Sequence, residues 1–256
     1  MILSDFKTDK LNVKVFETRN ELGQEAAKEA QNCILNLLAQ KEEINILFAA
    51  APSQNEFLQA LRGYKLPWNR INALHMDEYI GLSKDAPQRF GTFLNQHIFE
   101  HLSFKSVNYL FEENSSPTDI CNRYKKIIEK YPIDIVFMGI GEIGHIAFND
   151  PHVARFDDPE IVKLVSLDEV CRKQQVNDGC FARLEDVPKQ AVTVTIPAMM
   201  RATYIFCMVP GERKAKAVKN TINGPINTTC PASIIRNHQH AVLYCDKESA
   251  FYINNN

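Results

Sequence analysis

Four ionisable residues in two separate segments have the types that proton-transfer chemistry requires. Asp77 and Glu78 follow one apolar run, and His145 and Asp150 lie in the glycine-rich segment 139–150. A carboxylate base, a histidine and a second carboxylate that orients it can together move a hydrogen next to a carbonyl. Adjacent strand side chains point in opposite directions, so we expect at most one of Asp77 and Glu78 to enter the crevice.

The segment that carries His145 begins with Gly139-Ile-Gly-Glu-Ile-Gly144, which matches the dinucleotide-binding pattern. That pattern requires the last glycine to open a helix, whereas here a turn signal at Asn149-Asp-Pro151 follows within seven residues. A nicotinamide or flavin site is therefore disfavoured. Two interpretations stay open: the glycines only permit a tight turn, or they bring the backbone close to a ligand and place His145 beside it.

A candidate anion site lies at Ser53-Gln-Asn-Glu56, which also fits a capping box. In the structural interpretation, Ser53 and Glu56 satisfy the first amides of a helix. In the functional interpretation, those amides and the helix dipole receive a phosphate, and Lys214 supplies a cation. Glu56 counts against the phosphate, because a carboxylate competes with the anion.

The segment His97-Ile-Phe-Glu-His101 matches an inverted zinc-protease pattern. No third ligand can be nominated, and the same predicted helix face carries Phe93 and Leu94. Partly buried structural histidines are therefore the favoured interpretation, and we predict no metal site.

Alternating strand and helix patterns position these segments. Apolar runs predict strands at 46–51, 71–76, 107–111, 133–138, 191–196, 203–209 and 241–245, and helical periodicity predicts helices at 20–38, 54–62, 88–102, 118–130 and 212–221. Residues 150–188 break this rhythm and are interpreted as a helical excursion or lid. The alternation predicts one α/β domain over residues 1–256 with a mainly parallel sheet, whose ligand crevice lies beyond the carboxyl ends of the strands.

Composition limits the partners. The 256 residues carry a formal net charge of −2, and no strongly basic cluster suggests a nucleic-acid-binding face. No apolar run approaches the ~20 residues of a spanning helix, and the first residues do not resemble a signal peptide, so we expect a cytoplasmic protein. Its seven cysteines are scattered and are expected to be reduced.

The segments His75-Met-Asp-Glu-Tyr-Ile-Gly-Leu82 and Phe137 to Pro151 together resemble the glucosamine-6-phosphate deaminase (isomerase) family, and the likeness spans nearly the whole chain. The resemblance implies a Rossmann-like three-layer αβα sandwich. It also implies an aldose–ketose isomerase and deaminase, of the hydrolase class, that opens the ring of an amino-sugar 6-phosphate. Such an enzyme moves a proton from C2 to C1 and expels ammonia. Glucosamine 6-phosphate and its epimer galactosamine 6-phosphate are both candidate substrates, and neither a metal nor an organic cofactor is implied.

The same resemblance implies the site residues. Asp77 matches the family's general base, His145 matches the histidine of ring opening, and Asp150 stands where the family usually has the supporting Glu. The implied substrate-binding residues are Ala51, Ser53, Gln54, Glu78, Gly139, Gly141, Ala147, Arg172 and Lys214.

Three positions depart from the family pattern. Ile143 replaces an Asp of the ring-opening set, and Ala50-Ala-Pro-Ser53 replaces a Thr-Gly-Gly-Thr phosphate loop. The family's phosphate-binding Arg in the lid aligns with Gln175, so Arg172, one helical turn earlier, is the candidate substitute. Lys214 matches the family's phosphate lysine directly.

Two alternative functions stay open at this point. These departures are compatible with a sugar-phosphate-binding protein that has lost turnover, and the sister family suggests 6-phosphogluconolactone hydrolysis. The oligomeric state is also open, a homo-oligomer included.

Overall fold

A computed structural model describes residues 1–253, and its centre is an eight-stranded sheet. The strands stand in the order β1-β2-β11-β10-β7-β3-β4-β6, and every neighbouring pair is parallel except β1 and β2. Their bounds are β1 Ile2–Thr8, β2 Leu11–Phe16, β3 Ile44–Phe48, β4 Ile71–His75, β6 Ser106–Asn108, β7 Ile135–Met138, β10 Tyr204–Val209 and β11 Ala241–Asp246. The predicted mainly parallel sheet is confirmed.

Helices cover both faces of this sheet. The α-helices are α1 Arg19–Leu38, α2 Asn55–Arg62, α3 Phe90–His97, α4 Pro117–Lys130, α5 Glu169–Asn177, α6 Ile196–Met200 and α7 Ala215–Asn223. One apolar core joins α1, α2 and α3 to the sheet, and a second joins α4 and α7 to its other face. The predicted three-layer αβα arrangement is therefore confirmed. Within residues 1–253, no helix has the length and apolar character needed to cross a membrane.

Helix α1 shows how the sequence builds these layers. Thr18 accepts a hydrogen bond from the Glu21 amide and so begins the helix. The apolar side chains recur every three or four residues and are buried against the sheet, as Ala26, Ala30 and Ile34 illustrate. Strand β3 is buried along its whole length, because helices cover both of its faces.

A second sheet lies beside the first and was not predicted. Its three strands are β5 Asp77–Tyr79, β9 Gln190–Val194 and β8 Val162–Ser166, and both pairs are antiparallel. The predicted strand 191–196 therefore belongs to this sheet rather than to the parallel one. The interpretation of 150–188 as a helical excursion or lid is wrong in part, because strand β8 lies within this segment and pairs with β9, and helix α5 follows it.

Other differences from prediction are local. The polar amino terminus forms the hairpin of β1 and β2, which lacks a continuous apolar run because its outer strand is largely exposed. The helix predicted over 88–102 is shorter, since α3 ends at His97 and a 3₁₀ turn follows at Phe99–His101. The helix predicted over 212–221 begins as a 3₁₀ turn at Glu212–Lys214 before α7.

Candidate active site

A cavity of about 470 Å³ opens at the carboxyl edge of the parallel sheet. The segments after β3, β4, β7 and β10 form its walls, together with the end of α5, as expected for the ligand crevice of an α/β sheet. Most of the expected site residues line it: Ala51, Ser53, Gln54, Asp77, Gly139, Gly141, His145, Ala147 and Lys214.

Asp77 and Glu78 are separated by the alternation of strand β5. Asp77 lines the cavity, whereas the Glu78 carboxylate points away and accepts hydrogen bonds from the amides of Tyr79, Phe90 and Gly91. These bonds hold the start of α3. The expectation that at most one of the two acids enters the crevice is met, and the structure does not place Glu78 among the cavity residues.

His75 fixes the backbone at Asp77 from inside the core. Its imidazole is fully buried, with Nδ1 3.0 Å from the Asp77 carbonyl oxygen. On the other side of the ring, Nε2 accepts a hydrogen bond from the Leu110 amide at 2.9 Å. Because Nε2 accepts, Nδ1 carries the proton and donates it to the carbonyl. Burial lowers the pKa of His75 to about 3, so the ring stays neutral at ordinary pH.

The environment of the Asp77 carboxyl group favours its protonated form. Burial, followed by the charges of Glu78 and Asp150, raises the pKa of Asp77 well above its usual value. A carboxylate with a raised pKa is a stronger base, as abstraction of a proton from carbon requires.

His145 lies between the cavity and Asp150. Its Nδ1 is 2.8 Å from Oδ1 of Asp150, which is completely buried behind it. Burial opposes the charge of Asp150, but His145 nevertheless holds the pKa of that carboxyl below its usual value. Asp150 is therefore an ionised group that orients the imidazole and does not itself line the cavity.

Glycine at position 141 is required by the closeness of the imidazole. A Cβ at Gly141 would lie 2.1 Å from Nε2 of His145, and the Gly141 amide also donates to the His145 carbonyl at 2.9 Å. The glycine-rich segment thus forms tight turns and does not open a helix, so the exclusion of a dinucleotide fingerprint agrees with the geometry. The structure shows the tight turns and the closeness of Gly141 to His145, and the approach of this backbone to a ligand stays a prediction.

Two further residues of this turn show how tightly it is held. Ala147 lines the cavity with a φ of +50°, a left-handed conformation that is costly for a side chain other than glycine. Asn149 is fully buried, and its side-chain Nδ2 donates to the backbone carbonyls of Ile146 and Val194. The turn is therefore joined to strand β9 of the second sheet.

Cationic groups gather at the opposite end of the cavity. Lys214 is buried and lines the cavity, and within residues 1–253 its ammonium forms no hydrogen bond or ion pair. Burial lowers the pKa of Lys214, although Asp178 and Glu142 partly oppose that effect. Arg213 and Arg19 also line this end. A buried lysine without a protein partner is well suited to receive an anion.

The capping-box interpretation of Ser53 and Glu56 is wrong. No side chain caps the start of α2, and Glu56 instead pairs with Arg19, whose Nε lies 2.6 Å from the carboxylate. The Ser53 hydroxyl accepts from Gln54 Nε2 at 3.1 Å, which leaves its proton free to donate into the cavity. The carboxylate that was expected to compete with an anion is thus neutralised.

The structure does not place Arg172 in the cavity. Its guanidinium donates to the backbone carbonyls of Leu184 and Val187 and so holds the end of the lid segment. Gln175 lines the cavity instead, with Oε1 accepting from the Tyr79 hydroxyl at 2.6 Å. Arg172 lies three residues before Gln175 on α5, but its hydrogen bonds to these two carbonyls hold the guanidinium outside the cavity.

The histidines of the zinc-protease pattern do not converge on a site. His97 Nδ1 lies 2.7 Å from the Phe93 carbonyl and its ring stacks on Phe93, while His101 Nε2 contacts the Gln96 carbonyl. Both are structural, as the sequence favoured.

Sequence reasoning missed several cavity residues, of which Arg19 and Gln174 are two examples. Arg19 begins α1. The side-chain oxygen of Gln174 accepts a hydrogen bond from the Glu142 backbone amide at 2.8 Å. Neither lies in a motif or follows a strand of the parallel sheet, so no local signal marked them.

Comparison with known proteins gives a consistent result. Residues 17–244 match the family described as glucosamine-6-phosphate isomerases/6-phosphogluconolactonase. A glucosamine-6-phosphate deaminase of Exiguobacterium sibiricum is 32% identical over 231 residues, covering 88% of this chain and 90% of the relative. One of Bacillus thuringiensis is 31% identical over 242 residues, covering 93% and 88%.

Solved structures share the fold. A monomeric glucosamine-6-phosphate deaminase superposes with a TM-score of 0.83 at 27% identity, covering 93% of this chain and 98% of that one. A 6-phosphogluconolactonase from Thermotoga maritima superposes with a TM-score of 0.77 at 19% identity, covering 93% and 100%, which supports the fold alone.

Proposed function

Because the chain belongs to the family of glucosamine-6-phosphate isomerases and 6-phosphogluconolactonases, we propose that it is an amino-sugar 6-phosphate deaminase. It converts glucosamine 6-phosphate, or the galactosamine epimer, into a ketose 6-phosphate and ammonia. The observation that carries this proposal is that Asp77, His145 and Lys214 line one cavity. A base, an acid–base imidazole and an anion-binding cation are thereby available to one small molecule.

Binding begins at the cationic end. The phosphate lies against the Lys214 ammonium, which is buried and has no partner in the described part of the chain, and the Ser53 hydroxyl donates to a phosphate oxygen. Charge-assisted hydrogen bonds of this kind are stronger than neutral ones. They place the sugar ring toward Asp77 and His145 at the other end.

Ring opening is assigned to His145. The C1 hydroxyl loses a proton, the bond between C1 and the ring oxygen breaks, and the ring oxygen gains a proton. An imidazole whose Nδ1 faces the ionised Asp150 can carry that proton on Nε2. Ile143 removes the second carboxylate of the family pattern, so Asp150 alone orients the ring in this proposal.

Proton transfer between carbons is assigned to Asp77. The carboxylate takes the C2 proton and returns it to C1. In the same step the C1 carbonyl oxygen gains a proton and the C2 amine loses one, so that a C1 hydroxyl and a C2 imine form. Addition of water then breaks the carbon–nitrogen bond and releases ammonia, leaving the ketose phosphate. A base whose pKa is raised by burial suits both halves of this transfer.

The decisive experiment is an ammonia-release assay. Wild-type protein with glucosamine 6-phosphate and galactosamine 6-phosphate should release ammonia from at least one, and Asp77→Asn should lower turnover about 1,000-fold. Asp157→Asn, at an exposed position, is the matched control and should leave turnover unchanged.

The same assay separates the alternatives. No ammonia from either sugar, together with thermal stabilisation by them, would identify a binding protein without turnover. Hydrolysis of 6-phosphogluconolactone that persists in Asp77→Asn would instead identify a lactonase.

A further inference from the structure

Cys171 adds a third metal-binding side chain to the pair formed by His145 and Asp150. One ligand atom from each of the three lies within 4.8 Å of the others, and all three residues are buried. His145 and Asp150 come from the turn after β7, whereas Cys171 comes from α5, so the fold brings the thiol to the pair. Cys171 does not line the cavity and takes no part in the proposed reaction.

The polar atoms of this cluster are left unsatisfied. In the described part of the chain, His145 Nδ1 and both carboxylate oxygens of Asp150 are buried without a hydrogen bond of proper geometry, although Nδ1 and Oδ1 are only 2.8 Å apart. Buried polar atoms nearly always have partners, and an unmet group calls for an explanation. A cation bound between the three side chains would give a partner to His145 Nδ1 and to one carboxylate oxygen of Asp150.

We propose that His145, Asp150 and Cys171 form a binding site for Zn²⁺. Sulfur, imidazole nitrogen and carboxylate oxygen are the donors that zinc accepts, whereas Mg²⁺ and Ca²⁺ prefer oxygen alone. Tetrahedral zinc with bonds of about 2.0–2.3 Å holds its ligand atoms roughly 3.5 Å apart, so modest side-chain rotations close the present spacing. Three protein ligands leave a fourth position for water.

Charge also favours a divalent ion here. Zinc binding replaces the thiol proton of Cys171, while Asp150 is already ionised and His145 binds as the neutral ring. The dication then faces two negative ligands, so the buried cluster has no net charge.

Zinc at this site would inhibit the enzyme, an effect that rests on the proposed function. Zinc on Nδ1 occupies the edge of the imidazole that faces Asp150 and leaves a proton fixed on Nε2. His145 can then no longer exchange that proton with the ring oxygen. Because Lys214 and Ser53 are untouched, kcat falls while KM stays the same.

Metal binding is tested first, without any activity measurement. Metal-free protein lacking an affinity tag is titrated with Co²⁺, which reports thiolate ligation through a near-ultraviolet charge-transfer band, and Zn²⁺ stoichiometry is measured. We expect one metal per chain and a cobalt–thiolate band in wild type and in Cys121→Ala. In Cys171→Ala the band should vanish and zinc affinity should fall at least about 10-fold.

The outcomes are distinguishable from those of the deaminase assay. A band that is absent in wild type, or that persists in Cys171→Ala, overturns the zinc site. If the band behaves as expected, Zn²⁺ should lower kcat for ammonia release reversibly in wild type, with recovery on adding a chelator, and should not do so in Cys171→Ala. If no sugar phosphate releases ammonia, the proposed function fails while the metal site stands on its spectrum.

Discussion

The two ends of the cavity are built in different ways. At the proton-transfer end, formed by Asp77, His145 and Asp150, buried contacts fix the reactive groups: His75 holds the Asp77 carbonyl and Gly141 leaves room for the imidazole. At the anion end, formed by Ser53, Gln54 and Lys214, the lysine carries no protein partner in the described residues. Protein contacts therefore fix the reactive groups at the proton-transfer end. At the anion end, no protein contact within residues 1–253 fixes the Lys214 ammonium.

This difference agrees with where the sequence departs from the family pattern. The phosphate loop has become Ala50-Ala-Pro-Ser53, and Gln175 stands in place of an arginine. An anion can be held by any cation or free donor nearby, so single replacements there are tolerated. Proton transfer to carbon instead depends on position within fractions of an ångström. Variants at the two ends should therefore affect different kinetic constants.

Among variants that keep every reactive side chain, the largest effect is expected at Gly141. Gly141→Ala places a Cβ where His145 Nε2 now lies, so the imidazole must move away from its position. We expect kcat for ammonia release to fall about 100-fold with little change in KM. Gly63→Ala is the matched control, because its φ of −73° suits alanine and its added Cβ would lie 3.2 Å from the Ala60 carbonyl oxygen, away from the cavity. Equal kcat in the two variants would show that the turn does not position His145.

At the anion end, Lys214→Met should act on binding. It removes a charge-assisted contact worth about 2 kcal/mol, so KM for the sugar phosphate should rise about 30-fold while kcat changes little. The control is Lys216→Met, an exposed neighbour on α7. A fall in kcat with constant KM would place Lys214 in the chemistry rather than in anion binding.

A smaller effect is expected at Arg19. Its side chain is 46% exposed and is already paired with Glu56, so solvent and that carboxylate screen its attraction for a phosphate. Arg19→Gln should raise KM about 3-fold, as measured by initial rates at fixed ionic strength. A change as large as that of Lys214→Met would make Arg19 an equal partner in phosphate binding.

The smallest expected effect is on stability. Here the variant Asp77→Asn is expected to improve on wild type. Ionised Asp77 is costly in the fold because its pKa is raised, so wild type loses stability as pH rises through that pKa. Asp77→Asn cannot ionise, so its melting temperature should exceed that of wild type at pH 8 by roughly 2–4 °C per kcal/mol relieved. The difference should disappear below the ordinary pKa of 3.8, where both side chains are neutral. A lower melting temperature for the variant at pH 8 would contradict a strained carboxylate.

Local sequence patterns predicted the helices and strands whose own residues mark a buried face. The periodicity of α1 and the apolar runs of β3 and β7 mark buried faces directly, and the glycine-rich turn marked the position of His145. These signals sufficed to expect Asp77 and His145 at one sheet edge.

What the sequence did not reveal depends on pairing between distant segments. Strand β8 has no regular alternation of buried and exposed residues, so it is recognisable only through its pairing with β9. In the same way, the side of α5 that carries Gln175 into the cavity, and sends Arg172 to backbone carbonyls, is set by how that helix packs. Periodicity gives the face of a helix but not its direction relative to a neighbouring sheet.

The second sheet determines where the lid segment can hinge. Strand β9 is bonded on one edge to β5, which begins with Asp77, and on the other to β8, from within the lid segment. Opening at residue 150 would tear β8 from β9 and disturb the strand of the base. The Leu167 amide also donates to the Lys189 carbonyl. A motion that keeps these bonds must therefore pivot after Leu167, so that α5 and the loop beyond it move while the first part of the segment stays in place.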